Sequence, residues 1–420
     1  MRVLVVSHTA FSRTNNMGKT LLSYFQSFGP EELAQLYIHP QPPTDGTVCR
    51  RYYRMTDREA VRSILFRGPF GTEFGAGEIY PDEVPLLGPD RRFGEKRKAM
   101  GYFLRNGAWA LSSWDSNRLW NWLRAFDPEV ILFTAGDYTF LYRIAREIAE
   151  GLGRPLAAVC VDDYWFYNRN ERSLLGRLVH WEFRRTMAET MERTSVIFTI
   201  CPSMAEAYEG AFHRPCRVLH TAAPVGTALE PTEKGQVSYI GNVSFGRWEQ
   251  LVRMGQALRA LGREGIHVYS REDDPKIRRH LTWENGILFH GAIGAEEVRA
   301  VMGKSVAVVH TESFDPDWQK AVRFSVSTKI AESLMYGPCL IAYGPEGVAS
   351  IDYLKKTGAA FVIPSEAELE EKLERILSDP SLRRETVSRA RQVAAAHHDP
   401  AVNSAKVRHW LGQLGGERYE

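Results

Sequence analysis

Ser327, Thr328, Lys329 and Glu332 fall at the start of one short amphipathic segment, and together they could hold a phosphorylated, hydroxyl-bearing ligand. Ser327 and Thr328 are small hydroxyl residues suited to cap a helix, and residues 329–336 read as that helix, with Ile330, Leu334 and Met335 facing inward. Gly337-Pro338 ends it, and residues 339–343 form an apolar run of buried-strand length. The loop ahead of such a helix offers free backbone N–H groups at the positive end of the helix dipole, a setting for phosphate. Lys329 adds a full charge there, and Glu332 lies one turn on, within reach of a ribose diol.

Asp162 and Asp163 directly follow the apolar strand pattern at 155–161. Carboxylates at the carboxyl end of a parallel strand point into the ligand crevice of an α/β sheet, so both are candidates to bind ligand hydroxyls or to accept a proton. Capping by Asp163 is the plain alternative. The string Asn15-Asn16-Met17-Gly18-Lys19-Thr20 looks like a phosphate-binding loop, but the P-loop glycine five positions before Gly18 is Arg13 here, which excludes that NTPase signature. His397-His398 and the other histidines lack metal-ligand spacing, and no metal is assigned.

The elements that must position these groups fall into two similar halves. The first reads as strand 3–6, helix 18–28, strand 130–134, helix 138–150, strand 155–161, helix 174–192 and strands 196–200 and 216–220. The second restarts with strand 237–241, then helix 247–261, strands 266–269 and 287–290, helix 295–302, strand 306–310, the Glu332 helix with its following strand, strand 360–363 and helix 366–377. Strands alternating with helices imply parallel sheets covered on both faces. A length of 420 residues suits two domains, with 44% hydrophobic and 25% charged residues, as expected of a soluble protein. The net charge of +2 argues against a nucleic-acid partner. Five scattered cysteines read as buried free thiols in a reducing cytoplasm. The N-terminus reads as a first strand rather than a signal peptide, and no apolar run has transmembrane length.

The order of loop, helix, Glu332, Gly-Pro and apolar strand resembles the donor site of GT-B glycosyltransferases, in particular the retaining family-4 group. That resemblance implies an α/β GT-B fold, two Rossmann-like doubly wound domains facing across a cleft. The expected division is 1–225 as acceptor domain with an irregular insertion at 49–126, 226–400 as donor-nucleotide domain, and 401–420 as a helix crossing back to the first. It also implies a nucleotide-diphosphate sugar as donor substrate, no further cofactor, and transfer with retention to a hydroxyl acceptor, whether glycan, lipid-linked or small molecule. Asn16 and Gly18 fall on the acceptor side. The donor-binding set is Asn242, Arg247, Ser327, Thr328, Lys329 and Glu332, with Ile293 and Gly294 near the base.

The sequence departs from the family pattern in several places. The first glutamate of Glu-x7-Glu is Phe324, so Glu312, Asp317 or backbone amides would take the donor-sugar hydroxyls. The usual Arg and Lys positions read Asn242 and Trp248, with Arg247 adjacent to the latter supplying the cation. The histidine usual beside the transferred sugar is absent near Asp162. Asp315-Pro316-Asp317 resembles the Asp-x-Asp metal motif of the GT-A fold, but its place deep in the second half favours a solvated acidic loop. A nucleotide-sugar 2-epimerase and a catalytically silent sugar-nucleotide binder are the alternatives on the same fold. The aromatic-rich insertion and its basic run 91–98 read either as a solvated, self-packed segment or as an acceptor platform or peripheral contact with the inner membrane face.

Overall fold

The computed structural model describes the chain apart from residues 14–15, 45, 67–69, 76–94, 167–172, 224–225, 231 and 417–420, with residues 16, 95–98 and 295 described by backbone only. The start of the basic run and several aromatics of the insertion, Tyr80 and Phe93 among them, lie outside the described residues.

The first sheet holds β1 (Val3–Ser7), β2 (Leu33–Tyr37), β3 (Arg51–Arg54), β4 (Thr72–Phe74), β5 (Val130–Thr134), β6 (Leu156–Cys160), β7 (Thr194–Thr199) and β8 (Cys216–Val218), in the order β4-β3-β2-β1-β5-β6-β7-β8. All neighbours are parallel except β3 and β4. Strands β1, β5 and β6 are buried along their whole length, which explains why they read as continuous apolar runs rather than alternating ones. Strand β2 is equally buried but carries Gln35, whose amide donates to Ser7 Oγ, and is not among the expected strands.

The segment expected to be irregular contributes β3 and β4 and the helices Asp57–Leu65, Glu95–Leu111 and Asn117–Phe126. Strand β3 escapes a hydrophobic-run rule because an arginine stands at each end of its four residues and only Tyr52 and Tyr53 are buried. Its register against β2 places it.

The second sheet holds β9 (Gln236–Ile240), β10 (Ile266–Tyr269), β11 (Ile287–Phe289), β12 (Ser305–Thr311), β13 (Cys339–Tyr343) and β14 (Phe361–Ile363), all parallel, in the order β11-β10-β9-β12-β13-β14. This is the doubly wound Rossmann order.

Two compact units result, residues 1–219 with 403–420 and residues 220–402. The first crossing lies a few residues before the boundary expected between 225 and 226. Leu219 packs in the core of the first unit, whereas the His220 ring stacks on His397 at 4.7 Å in the second. Helix Pro400–Gly415 joins the first unit from Asn403 onward. Val407 and Leu411 enter that core, Trp410 stacks on Phe198 at 5.5 Å, and Ser404 Oγ accepts from the Ser27 amide at 2.8 Å.

Gly255 marks a backbone contact that composition does not reveal. A Cβ there would stand 2.5 Å from the carbonyl oxygen of Gly286, so helix Arg247–Ala260 rests directly on the chain entering β11. Alanine normally favours a helix over glycine by ~1 kcal/mol. Here the overpacking cost of ~1–3 kcal/mol should win, so Gly255→Ala should lower the thermal midpoint. A midpoint equal to or above wild type would show that the two backbones can separate freely.

Candidate functional site

The order of the second sheet reverses at β9, which pairs with β10 on one side and β12 on the other. Loops leaving such a switch point diverge and open a crevice at the carboxyl ends of the strands. The loop after β9 turns through two left-handed residues, Phe245 (φ 59°) and Gly246 (φ 73°), before helix Arg247–Ala260 begins. A Cβ on Gly246 would sit 2.6 Å from Ser313 Oγ, so the loop is pressed against the loop that follows β12. Asn242 is held from both ends: its Oδ1 accepts from the Ser244 amide at 2.6 Å, and its carbonyl accepts from Tyr239 Oη at 2.5 Å.

Arg247 donates from Nε and Nη2 to Glu312 Oε2 and Oε1 at 3.0 and 2.8 Å. The carboxylate is 1% exposed and the guanidinium side chain 14%. Burial pushes the Glu312 carboxyl above its ordinary range, and the charge of Arg247 opposes that rise. His310 lies between them and Ser350: its Nε2 is 3.0 Å from Ser350 Oγ and 3.4 Å from Glu312 Oε1. Burial first, then the charge of Arg247, lowers His310 to about 3, so it is neutral at physiological pH and adds no competing charge.

Helix Thr328–Tyr336 supplies the other wall. Ser327 is its N-cap and accepts from the Lys329 amide at 3.3 Å, while Thr328 is exposed at the first helical position. Lys329 Nζ donates to Glu332 Oε2 at 2.7 Å, which leaves Glu332 Oε1 without a hydrogen-bond donor among the described residues. Asn242, Arg247, Ser327, Lys329, His310 and Ser333 line one pocket, floored by Ile240, Val308 and Leu340. Among the described residues, no three His, Cys, Asp or Glu side chains converge as metal ligands.

The structure thus brings Asn242, Arg247, Ser327 and Lys329 together, with Glu332 held to Lys329. It places other expected residues elsewhere. Glu312 is taken up by Arg247 and does not line the pocket, because a buried carboxylate must find a cation. Asp317 is 90% exposed and pairs with Lys320, while Asp315 caps helix Pro316–Val322 through the amides of Asp317 and Trp318. Ile293 is half-buried against an apolar cluster, and Gly294 is the N-cap of helix Ala295–Gly303. Phe324, which stands where the family pattern has a glutamate, is buried at 2% exposure. Ser270 Oγ, in the loop after β10, is buried without a hydrogen-bond partner among the described residues.

In the first unit Asp162 and Asp163 separate into different roles. Asp163 Oδ1 accepts from the amides of Trp165 and Phe166 at 3.0 and 2.9 Å and from Tyr208 Oη at 3.3 Å, which ties it into the turn after β6. Asp162 is exposed. Gly18 lies in helix Asn16–Tyr24, where a Cβ would stand 2.6 Å from Ser12 Cβ; the Asn16 side chain lies outside the described residues.

A cluster that the residue patterns did not single out stands on the same sheet edge. His8 follows β1 directly and stacks on Tyr138 at 4.1 Å. Arg105 Nη2 is 3.3 Å from His8 Nε2, and Arg105 Nε and Trp109 Nε1 both donate to Asp57 Oδ1 at 2.8 Å. Burial, with Arg105 and His39 adding to it, lowers His8 to about 3. Arginine only donates, so Nε2 of this neutral imidazole accepts and Nδ1 carries the proton. The rule that marked Asp162, a polar residue directly after a parallel strand, applies equally to His8.

The fold is that of GT-B proteins: an α/β chain of two parallel-sheet Rossmann-like units. Residues 249–408 match the family described as Glycosyl transferase-like. No curated protein sequence matches significantly. Among solved structures, the UDP-forming α,α-trehalose-phosphate synthase of Burkholderia xenovorans aligns with a TM-score of 0.59 at 10% identity, over 99% of this chain and 100% of its own. HepE of Anabaena, solved with UDP and glucose, aligns with a TM-score of 0.61 at 10% identity over 99% and 100%. Sucrose-phosphate synthase of Thermosynechococcus elongatus gives 0.56 at 12% identity over 99% of both chains. The family match supports a glycosyl-transfer role and lends nothing to the epimerase alternative.

If Arg247 and Glu312 depend on each other, their substitutions should be strongly non-additive. Glu312→Gln alone should cost ~3–5 kcal/mol of stability by leaving a buried guanidinium without its counter-charge, and Arg247→Met combined with it should recover a large part of that loss. Chemical denaturation of the four proteins measures the coupling. A coupling below ~1 kcal/mol would put the pair in the class of exposed ion pairs and remove its structural role.

Proposed function

We propose that this protein is a glycosyltransferase that moves a sugar from a nucleoside-diphosphate donor to a hydroxyl acceptor. The observation that carries this reading is the pocket in which Arg247, Lys329 and the capped N-terminus of helix Thr328–Tyr336 meet. When the bond between the anomeric carbon and the diphosphate oxygen breaks, negative charge grows on the leaving group while the sugar becomes cationic. Fixed cations and helix-end amides stabilise that charge where it develops, with no reorganisation at the moment of reaction. Arg247 is held in place by Glu312 and still has Nη1, which has no acceptor among the described residues. Lys329 is the cation free to move from Glu332 onto the diphosphate, and Glu332 Oε1 is available to a ribose hydroxyl.

The family match over 249–408 and the fold shared with HepE, which was solved with UDP and glucose, support a nucleotide-sugar donor. We assign the acceptor to the carboxyl edge of the first sheet, where Asp162, His8 and the aromatic rings around Arg105 lie. Retention of configuration is part of the proposal through the family resemblance; independence from a divalent metal is part of it because Arg247 and Lys329 would supply the ion's charge. The five cysteines are free and buried, which fits a reducing compartment. Among the described residues, no helix is long and apolar enough to cross a membrane.

A second reading rests on Phe324. With an apolar residue where the family pattern has a carboxylate for the donor sugar, the chain would bind the nucleotide sugar without turning it over. Release of free nucleotide on adding acceptor separates the two.

Thermal stabilisation by a panel of sugar nucleotides should identify the donor, since a ligand that binds only the native state raises the midpoint by mass action. With that donor, Glu332→Ala should raise KM by about ten- to a hundredfold, the equivalent of one charge-assisted hydrogen bond of ~1.5–3 kcal/mol. An unchanged donor affinity in a folded variant would remove Glu332 from the site.

Turnover should also persist in a chelator. Complete loss, restored by Mg²⁺ or Mn²⁺, would replace the cation mechanism with a metal. Asp162→Asn should lower kcat more than it weakens donor binding, whereas Asp163→Asn should act mainly on stability by weakening the turn it holds. Wild-type turnover in Asp162→Asn would exclude it from the reaction.

A further inference from the structure

Helix Leu174–Met191 of the first unit presents two unlike faces. Val179, Phe183 and Met187 are buried, as in any helix packed on a sheet. On the outer face Leu174, Leu178 and Trp181 recur at helical spacing and are 83%, 51% and 59% exposed. Large apolar side chains scattered singly on a surface need no explanation, but a stripe along one helix does. The adjoining helix Glu95–Leu111, which packs beside it, also leaves Phe103 and Leu104 exposed.

Arginines are interleaved with this stripe. Arg177 and Arg184 have no acidic partner among the described residues, and Arg184 lies over the Trp165 ring at 3.9 Å. Arg185 lies 5.7 Å from the centre of the Trp181 ring and pairs with Glu189 at 2.9 Å. The two glutamates of the helix are already matched from the neighbouring helix Thr139–Leu152: Arg143 holds Glu182 at 2.7 Å and Arg146 holds Glu189 at 3.0 Å. The surface therefore keeps a net positive charge set among leucine and tryptophan, and Trp165, Trp181 and the three arginines line one shallow groove.

We propose that this face docks the protein on an anionic lipid bilayer, with Leu174, Leu178 and Trp181 entering the headgroup–acyl boundary and Arg177 and Arg184 on lipid phosphates. Apolar and aromatic residues alternating with arginine along one exposed helix face are the chemistry of an interfacial helix. Arginine adds planar, bidentate recognition of phosphate. A second copy of this chain is the poorer occupant, because a two-fold contact through the same patch would bring Arg177 and Arg184 of both copies together. The proposal is independent of the glycosyl-transfer reading.

Co-sedimentation of the full chain with vesicles tests it. Wild type should pellet with phosphatidylglycerol–phosphatidylcholine vesicles, remain in solution with phosphatidylcholine alone, and be released by salt. Arg177→Gln with Arg184→Gln should weaken binding by about fivefold for each arginine removed. Leu178→Ser with Trp181→Ser should abolish it, with thermal midpoints near wild type because these side chains are exposed; if that pair disturbs folding, the arginine pair decides alone. Failure of wild type to bind the anionic vesicles, or wild-type binding by the arginine variant, would overturn the proposal. So would conversion of a lipid-free dimer to monomer by Leu178→Ser with Trp181→Ser, which would make the face a self-interface.

Discussion

The bidentate pair between Arg247 and Glu312 is the constraint on which the second unit's site depends. Two ions removed from water are tolerated only when each satisfies the other, and here both carboxylate oxygens are spent on one guanidinium. The pair joins the chain leaving β9 to the chain leaving β12, the two strands at which the sheet order reverses. It therefore spans the crevice that a doubly wound sheet opens at that point and holds a cation at its edge. The left-handed turn at Phe245 and Gly246 follows from the same demand: it brings Arg247 back over the strand ends. A strained loop is sustained where the interaction it delivers outweighs its cost.

The two cations of the pocket are held differently. Arg247 is immobilised by a buried partner. Lys329, 38% exposed, is held by Glu332 one helical turn away, an interaction that water screens. The pocket therefore holds one rigid cation and one movable one. Neutral His310 beneath Arg247 keeps the charge balance of the buried layer at one positive and one negative group.

The first unit uses its polar groups at strand ends more unevenly. Asp163 is consumed by two backbone amides and a tyrosine hydroxyl, and it shapes the turn after β6 while its neighbour Asp162 faces solvent. Arg105 is likewise committed, to Asp57 and His8, and lies over the rings of Tyr138 and Phe140. Strand-end position marks where chemistry can happen. Hydrogen-bond bookkeeping then shows that Asp163 and Arg105 are spent on structure.

Local rules were sufficient for the helix at Thr328–Tyr336, the strand Cys339–Tyr343 after it and the start of the helix at Arg247, because capping, helical periodicity and buried parallel strands leave their marks within a dozen residues. The same rules marked Lys329 and Glu332 as neighbours one turn apart at the start of that helix, and Asp162 as a strand-end carboxylate. They did not reveal β3, whose flanking arginines hide a strand defined by its neighbour, or the helices within 49–126, whose outward faces are partly apolar. Nor could they distinguish Glu312 as a partner of Arg247 from Glu312 as a ligand group. The two residues are 65 positions apart, and only the adjacency of β9 and β12 brings them within 2.8 Å. Sequence determines which residues can carry charge and which segments can hide from water; tertiary pairing decides which of those charges are already neutralised, because a buried ion's partner is chosen by topology rather than by distance along the chain.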